Sequence, residues 1–201
     1  VAGSGGTDLV LVDFTAAGTY TLSAEVENAH IRGSLNVNVT GNASANQLVG
    51  NAGNNVLNGA AGDVTLEGAG GNDTLDGGAG DDVLDGGTGN DVLNDSGGNG
   101  SMSGGSGNDL YFVDSAADLV VELANGGTDR VVTNASYVLA QAAEVEILET
   151  GSVGGSQHIN QTGRDFGNTI HGNDGNNQLY GGNGDDRLHG YAGDDWLVGG
   201  E

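Results

Sequence analysis

The chain has 201 residues, of which 41 are Gly, with no Pro, no Cys and only 4% aromatic residues. It carries 28 Asp and Glu against four Lys and Arg, so its formal net charge at pH 7 is −24. Such a chain is repelled by nucleic acid and by anionic membranes, so partners of these kinds are not expected. The absence of Cys excludes disulfides and thiolate metal sites, and no apolar run is long enough for membrane insertion. High charge with little apolar bulk predicts disorder unless a cation neutralises the carboxylates.

Residues 1–40 form a first spacer segment, and its sequence returns later in the chain. Tyr20-Thr21-Leu22 matches Tyr137-Val138-Leu139, and Glu25-Val26-Glu27 matches Glu144-Val145-Glu146. The chain therefore reads as a longer unit of about 122 residues that is repeated incompletely. Internal duplication of this kind favours a solenoid over a compact catalytic domain.

Residues 41–112 consist of eight nine-residue units in one unbroken register. The units begin at Gly41, Gly50, Gly59, Gly68, Gly77, Gly86, Asp95 and Gly104. Residue 8 of each unit is apolar, and residue 6 is most often Asp or Asn. The best copies read GGAGDDVLD from Gly77 and GGTGNDVLN from Gly86. Six residues with several Gly predict a tight turn, and the last three predict a short strand whose position-8 side chain points into a narrow core.

Residues 113–162 form a second spacer with a different texture. The stretches Leu119–Leu123 and Asp129–Val132 are apolar and predict strands. The run Ala140–Leu148 is compatible with a short helix, but the alternation of Glu144 to Leu148 favours a strand.

Residues 163–201 form a second block of nonapeptides, with units that begin at Gly163, Gly172, Gly181 and Gly190. The chain begins without Met and stops at Gly199-Gly200-Glu201, one third of the way into a further unit. We therefore expect it to be part of a larger multidomain chain. The unpaired strand of the last turn is expected to permit end-to-end self-association.

The spacing of the position-6 carboxylates predicts a cation site. Strands of neighbouring turns in a parallel sheet lie roughly 4.8 Å apart, so these carboxylates form columns of like charge. Calcium takes six to eight oxygen ligands in flexible geometry, whereas magnesium demands a tighter octahedron. Zinc is not supported, because the chain lacks Cys and has no His pair at ligand spacing.

The G-G-x-G-x-D-x-U-x pattern resembles that of the repeats-in-toxin (haemolysin-type) calcium-binding family. The resemblance implies an all-β fold, a right-handed parallel β-roll or solenoid with β-rich spacers, that binds several calcium ions. In that family, positions 2, 4 and 6 of one unit and positions 1, 3 and 6 of the unit next but one supply the ligands.

Carried over to this chain, the resemblance implies two complete sites. The first combines Ala69, Gly71 and Asp73 with Gly86, Thr88 and Asp91, and the second combines Gly87, Gly89 and Asp91 with Gly104, Ser106 and Asp109. Further candidate ligands in the first block are Asn51, Gly53, Asn55, Gly68, Gly70, Gly77, Gly78, Ala79, Gly80 and Asp82. Those in the second block are Asn168, Asn173, Gly175, Asn177, Gly181, Gly182, Asn183, Gly184, Asp186, Gly190, Ala192 and Asp195.

The two edges of the roll are unequal in acidity. One edge carries Asn55, Asp73, Asp91 and Asp109 at position 6, and the other carries Asn46, Val64, Asp82 and Gly100. The second edge departs from the family pattern at two of its four turns. Asp63 and Asp95 are the residues that can substitute there.

The resemblance implies a non-enzymatic calcium-binding module of a secreted bacterial protein, disordered without calcium and folded after export. The alternative is a carbohydrate- or surface-binding module attached to an extracellular enzyme or adhesin. An enzyme is disfavoured, because the sequence shows no acid–base or nucleophile constellation. His30, His158, His171 and His189 are scattered along the chain.

Overall fold

The computed structural model describes residues 6–141, 143–152 and 154–201. These residues form 21 short strands, β1 to β21 in chain order, joined by turns, and they contain no helix. In the described part of the chain there is consequently no helix with the length and apolarity of a membrane span.

The strands form three parallel sheets, in which each strand pairs with the strand two places along the chain. The first sheet contains β1 Leu9–Val12, β3 Asn28–Ile31, β5 Gln47–Val49, β7 Thr65–Glu67, β9 Val83–Thr88, β11 Ser101–Ser106 and β13 Leu119–Val121. The second contains β2 Gly18–Thr21, β4 Val37–Thr40, β6 Val56–Asn58, β8 Thr74–Asp76, β10 Val92–Asp95, β12 Leu110–Val113, β14 Arg130–Thr133, β16 Ile147–Thr150, β18 Thr169–His171 and β20 Arg187–His189. The third contains β15 Tyr137–Val138, β17 Gln161–Thr162, β19 Gln178–Gly182 and β21 Trp196–Gly200. Together they make a solenoid of about 11 turns, which confirms the predicted parallel β-roll.

The spacers belong to the same solenoid as the nonapeptides. β3 of the first spacer pairs with β5, while β14 and β16 of the second spacer continue the sheet from β12 to β18. Residues 143–146 have no regular structure, so the strand expected after Ala140 begins only at Ile147. The division into segments 1–40, 41–112, 113–162 and 163–201 stays a prediction, and residues 1–5 lie outside the described residues.

One side of the solenoid is interrupted where β15 follows β13. The buried Tyr137 directs its hydroxyl between these strands, donating to the carbonyl of Asp118 at 3.0 Å and accepting the N–H of Val120 at 3.3 Å. Because the phenol takes backbone groups that a neighbouring strand would otherwise pair, the third sheet starts separately at β15.

The core is a column of position-8 side chains between the sheets. Leu48, Leu57, Leu66, Leu75, Leu84, Leu93, Met102 and Tyr111 are all at most 1% exposed. Ile170 and Leu179 continue this column in the second block, as the sequence pattern predicts, whereas Leu188 is only half-buried and Leu197 of the last turn is 42% exposed. The core is one to two side chains wide, so each turn buries little apolar area and depends on its neighbours.

Position-5 side chains form an exposed ladder that the sequence analysis does not anticipate. The side-chain oxygens of Asn36, Asn54, Asn72, Asn90 and Asn108 each accept the backbone N–H of the residue one full turn later, at 2.7 to 3.0 Å. Asp63 and Asp81 do the same at the opposite edge. These bonds tie each turn to the turn before it without any metal.

Glycine at position 1 is required by the carboxylate at position 6. A Cβ atom on Gly86 would lie 2.5 Å from Oδ2 of Asp91 and 2.8 Å from the carbonyl oxygen of Gly104. Both distances are shorter than real Cβ contacts, so a side chain there must displace the carboxylate. A Cβ atom on Gly97, in contrast, would meet nothing closer than 3.5 Å.

We therefore expect Gly86→Ala to destabilise the calcium-loaded protein by roughly 1–3 kcal/mol, the usual range for overpacking. Gly97→Ala is the matched control and should be close to neutral. Urea denaturation at saturating calcium measures both variants. Equal midpoints for the two variants would contradict the steric argument.

Candidate metal centre

Position-6 side chains form a buried ladder along one edge of the roll. The backbone N–H of each ladder residue donates to a side-chain oxygen of the next, over 2.7 to 2.8 Å. The ladder runs through Asn55, Asp73, Asp91, Asp109, Asp129 and Glu146. In this ladder the accepting side chain lies one turn after the donating N–H. In the position-5 ladder it lies one turn before.

Each central carboxylate of this ladder has one oxygen in use and one without a partner. Oδ1 of Asp73, Asp91 and Asp109 accepts the backbone bond, while Oδ2 of each is buried and has no hydrogen-bond partner. The three residues are only 1–2% exposed. A buried and unpaired carboxylate oxygen is costly, so the geometry demands either a proton or a cation at these atoms.

Burial changes the acidity of these groups. It raises the pKa of Asp73 to about 7 and that of Asp91 to about 6, and the charge of the next ladder carboxylate adds to the rise in both cases. Burial also raises the pKa of Asp109. These carboxyl groups therefore lose their protons less readily than ordinary acids, unless a bound cation stabilises the negative charge.

The structure brings together two pairs of the residues predicted for the first complete site. The N–H of Asp73 lies 2.7 Å from Oδ1 of Asp91, and the N–H of Thr88 donates to the carbonyl of Ala69 at 3.1 Å. Gly71 and Gly89 stack so closely that a Cβ atom on Gly89 would lie 1.8 Å from the carbonyl oxygen of Gly71. Gly89 has a φ of 127°, which a residue with a side chain rarely adopts.

The second complete site repeats this arrangement one turn further along. Asp91 donates its N–H to Oδ1 of Asp109, and the N–H of Gly89 donates to the carbonyl of Ser106 at 2.7 Å. A Cβ atom on Gly105 would lie 2.2 Å from the carbonyl oxygen of Gly87. Asp91 therefore lies between the two sites.

The opposite edge contains Asp82 and is less regular. The N–H of Val64 donates to Oδ1 of Asp82 at 2.9 Å, and Oδ2 of Asp82 is buried and unpaired. Of the two residues considered as substitutes at this edge, Asp95 is fully buried and faces Asp82, whose charge contributes to the raised pKa of Asp95. Asp63 is exposed and belongs to the position-5 ladder.

The units with Asn at positions 2 and 6 satisfy their turns with amide groups. In the unit from Gly50, Oδ1 of Asn51 accepts the N–H of Gly53, and Oδ1 of Asn55 accepts the N–H of Asn51. The unit from Gly172 is built in the same way around Asn173 and Asn177. These side chains give the turn a neutral internal network, so their predicted part in metal binding would come from backbone carbonyls.

The second block carries the ladder at lower charge. The N–H of Asn168 donates to Oδ1 of Asp186 at 2.7 Å, and the N–H of Asn177 donates to Oδ1 of Asp195 at 2.9 Å. Oδ2 of Asp186 is buried without a partner, as in the first block. A Cβ atom on Gly182 would lie 2.3 Å from the carbonyl oxygen of Arg164, so Arg164 occupies a normal turn position despite its side chain.

The remaining candidate ligands lie in the turns between these ladder residues. One is Asn183, whose side-chain nitrogen donates to Asp165 at 3.0 Å. The others offer backbone carbonyls only and are Gly53, Gly68, Gly70, Gly77, Gly78, Ala79, Gly80, Gly175, Gly181, Gly184, Gly190 and Ala192. Positive φ angles at Gly78, Gly80 and Gly184 allow consecutive turns to stack closely.

Three ladder residues in the second spacer were missed by the sequence analysis. Asp118 accepts the N–H of Gly100, Asp129 accepts the N–H of Asp109, and Glu146 accepts the N–H of Asp129. Each stands two residues before a buried apolar residue, which is the relation of position 6 to position 8 in the nonapeptides. That spacing is the sequence signal that could have identified them.

A buried tyrosine joins the ladder to the core at the start of the second spacer. Tyr111 donates its hydroxyl to a carboxylate oxygen of Glu122 and accepts the N–H of Gly104 at 2.6 Å. Burial and the bond to Glu122 raise the pKa of Tyr111, so the phenol remains a donor. Glu122 lies with Asp109 and Asp129 in a cluster whose carboxylate oxygens are within 4.8 Å of one another.

These donor sets fit calcium. Every side chain of the ladder offers an oxygen, and the free Oδ2 atoms of Asp73 and Asp91 lie next to position 1 of their own units, where a carbonyl oxygen of the following turn also lies. Hard divalent cations prefer such oxygens, and calcium accommodates mixed carboxylates and carbonyls without strict geometry.

Comparison with known proteins supports this reading. The family model of the RTX calcium-binding nonapeptide repeat matches the chain in four copies, at residues 40–75, 65–93, 85–120 and 162–201, which together cover more than half of it. No curated protein and no solved structure matches the chain. The chain belongs to the family of RTX calcium-binding repeat proteins, whose β-roll is a calcium-binding fold.

Proposed function

We propose that this chain is a calcium-dependent folding module of a secreted bacterial protein. It remains disordered where calcium is scarce, as in the cytoplasm, and folds around several calcium ions once it is outside the cell. The observation that supports this most directly is the row of buried carboxylate oxygens without partners at Asp73, Asp91 and Asp109. Because these oxygens are costly in the fold and solvated in the unfolded chain, cation binding becomes folding free energy.

The predicted ligands follow the same geometry. The first site takes carbonyls from Ala69, Gly71, Gly86 and Thr88 with the carboxylates of Asp73 and Asp91. The second takes carbonyls from Gly87, Gly89, Gly104 and Ser106 with the carboxylates of Asp91 and Asp109. The bond from the N–H of Thr88 to the carbonyl of Ala69 supports the first assignment. The N–H bonds from Asp73 to Asp91 and from Asp91 to Asp109 support the pairing of the carboxylates in both sites.

The narrow core favours the same conclusion. Each nonapeptide contributes one main apolar side chain to the column, whereas the chain carries a net charge of −24. Electrostatic repulsion on this scale opposes a compact state unless counterions bind to it specifically. Membership of a larger chain, end-to-end association and the alternative role as a carbohydrate- or surface-binding module stay predictions.

Chelation should unfold the protein. We expect the far-UV circular dichroism spectrum at neutral pH and low salt to be that of a disordered chain in excess chelator. Addition of calcium to the millimolar range or below should produce β structure, because the cations neutralise the buried ladder. Magnesium at the same concentration is the control and should be far less effective. A fully folded spectrum in chelator would disprove the proposal.

Acid should partly replace calcium. The folded-state pKa values of Asp73 and Asp91, about 7 and about 6, lie above the ordinary value of 3.8. A raised pKa means that the folded state binds more protons than the unfolded state, so this contribution to stability is full below 3.8 and is lost as the pH rises through 6 to 7. In chelator we therefore expect more β structure at about pH 5 than at about pH 7.5. The calcium affinity should change in the opposite sense, since protons compete for the same oxygens.

The test is circular dichroism in chelator across this pH range at low protein concentration, with sedimentation to exclude aggregates. A β content that is constant or rises with pH in monomeric protein would contradict the linkage.

Asp91→Asn should weaken calcium-coupled folding more than the same change at an acid outside the buried position-6 ladder. The variant keeps an oxygen for the N–H of Asp73 but removes one negative charge from both complete sites. We expect the calcium midpoint to rise by roughly tenfold, because ligand charge sets the affinity of such sites. Asp81→Asn is the matched control: Asp81 is exposed, and Asn already occupies its position in other units. Similar midpoints for both variants would refute the assignment of Asp91.

A further inference from the structure

One unit of the first block has exchanged the positions of its acid and its glycine. In the regular units, a Cβ atom at position 1 would lie 2.3 Å from Oδ2 of Asp82 in the case of Gly77, and 2.2 Å from Oδ2 of Asp109 in the case of Gly104. A side chain at position 1 and a carboxylate at position 6 therefore compete for one space. The unit that begins at Asp95 has an acid at position 1 and Gly100 at position 6.

The carboxylate of Asp95 occupies the space that Gly100 leaves open. A Cβ atom on Gly100 would lie 2.3 Å from both Cγ and Oδ2 of Asp95. Asp95 is the last residue of β10 and reaches this space from there. Its backbone is held in place by pairing with Val113 of β12. The unit has thus kept a carboxylate at the edge of the roll while changing the residue that supplies it.

Asp95 is fully buried, and no donor group of the described residues bonds to either of its carboxylate oxygens, so a bond between Asp95 and Asp82 would need a proton on one of the two acids. Its surroundings are acidic: Asp82 lies on the side of the preceding turn, and Asp118 and Asp114 lie on the side of the following turn. Oxygens of Asp95, Asp114 and Asp118 are within 4.8 Å of one another. Among the described residues the one salt bridge joins Arg130 to Glu149, so no basic side chain is paired with this cluster.

The Asp118 carboxylate is held in a fixed orientation. Oδ1 accepts the N–H of Gly100 at 3.3 Å, and Oδ2 accepts the N–H groups of Asp114 and Ser115 at 3.2 and 3.1 Å. These three donors orient the group without neutralising it. The unpaired oxygens of Asp95 face a second carboxylate that the backbone has already positioned, which is the arrangement that a bridging cation requires.

We propose that Asp95, Asp114 and Asp118 form an additional calcium site, in which side chains at positions 1, 2 and 6 replace the regular pattern. All donors are carboxylate oxygens, which suits a hard divalent cation and excludes a preference for zinc. The inference rests on the proposed function, since it assumes calcium-coupled folding of the roll. The additional site lies at the turn where position 6 is Gly100 and not an acid. Calcium would therefore still bind at this turn, along the edge of the roll that contains Asp82.

The reciprocal exchange of acid and glycine gives a sharp test. Asp95→Gly and Asp95→Asn should each reduce the number of calcium ions bound per chain by one and raise the calcium midpoint for folding. Gly100→Asp alone should destabilise the fold, because its Cβ meets the Asp95 carboxylate. The double variant Asp95→Gly/Gly100→Asp restores the regular unit and should recover the ion count of the unaltered protein.

Equilibrium dialysis with elemental analysis gives the ion count, and circular dichroism gives the midpoint. Asp114→Asn serves as a variant with little risk to folding, because Asp114 is exposed, and Asp63→Asn is the control outside the cluster. Asp114→Asn should lower the calcium affinity of one site, whereas Asp63→Asn should change neither the ion count nor the midpoint. A double variant that binds one ion fewer than the unaltered protein would also contradict the exchange.

The outcomes separate the two proposals. If the unaltered protein binds calcium but Asp95→Asn and Asp114→Asn leave both the ion count and the midpoint unchanged, the additional site is wrong and the proposed function stands. Asp95 would then be a buried neutral acid. If the unaltered protein binds no calcium, the proposed function and the additional site both fail.

Discussion

The repulsion between stacked, buried carboxylates is the constraint on which this fold depends. Parallel strands fix the spacing of successive turns at roughly 4.8 Å, so an acid at the same position of every turn must face its own copies. The backbone relieves part of this cost by donating one N–H to each carboxylate, as from Asp73 to Asp91. The second oxygen of each group remains without a partner. A cation bound at these oxygens would complete the turn chemically, which is the basis of the proposed calcium-dependent folding.

The nonapeptide pattern, together with its resemblance to the RTX family, was sufficient to predict the parallel roll, the inward leucines and the regular ladder from Asn55 to Asp109. It was not sufficient for the second spacer, because the turn length changes there. Asp109 and Asp129 are 20 residues apart, and Asp129 and Glu146 are 17 apart, whereas the regular spacing is 18. A fixed period loses register at such turns. The relation that survives is local, an acid two residues before a buried apolar side chain.

Other features could not be read from the sequence because they depend on how turns stack. The position-5 Asn ladder requires knowledge of which side chain reaches the preceding turn, and this follows from the backbone conformation rather than from residue type. The exchange between Asp95 and Gly100 appears in the sequence as a defect of the pattern. The sequence offers both Asp63 and Asp95 as substitutes at this edge, and only the space shared by positions 1 and 6 shows that Asp95 is the one that compensates for Gly100.

The two long repeats are out of phase with the two sides of the solenoid. β5 of the first copy corresponds in sequence to β18 of the second, but β5 belongs to the first sheet and β18 to the second. The offset is thirteen strands, an odd number, so equivalent residues appear on opposite faces of the rod. The same substitution made in both copies would therefore alter opposite faces of the rod.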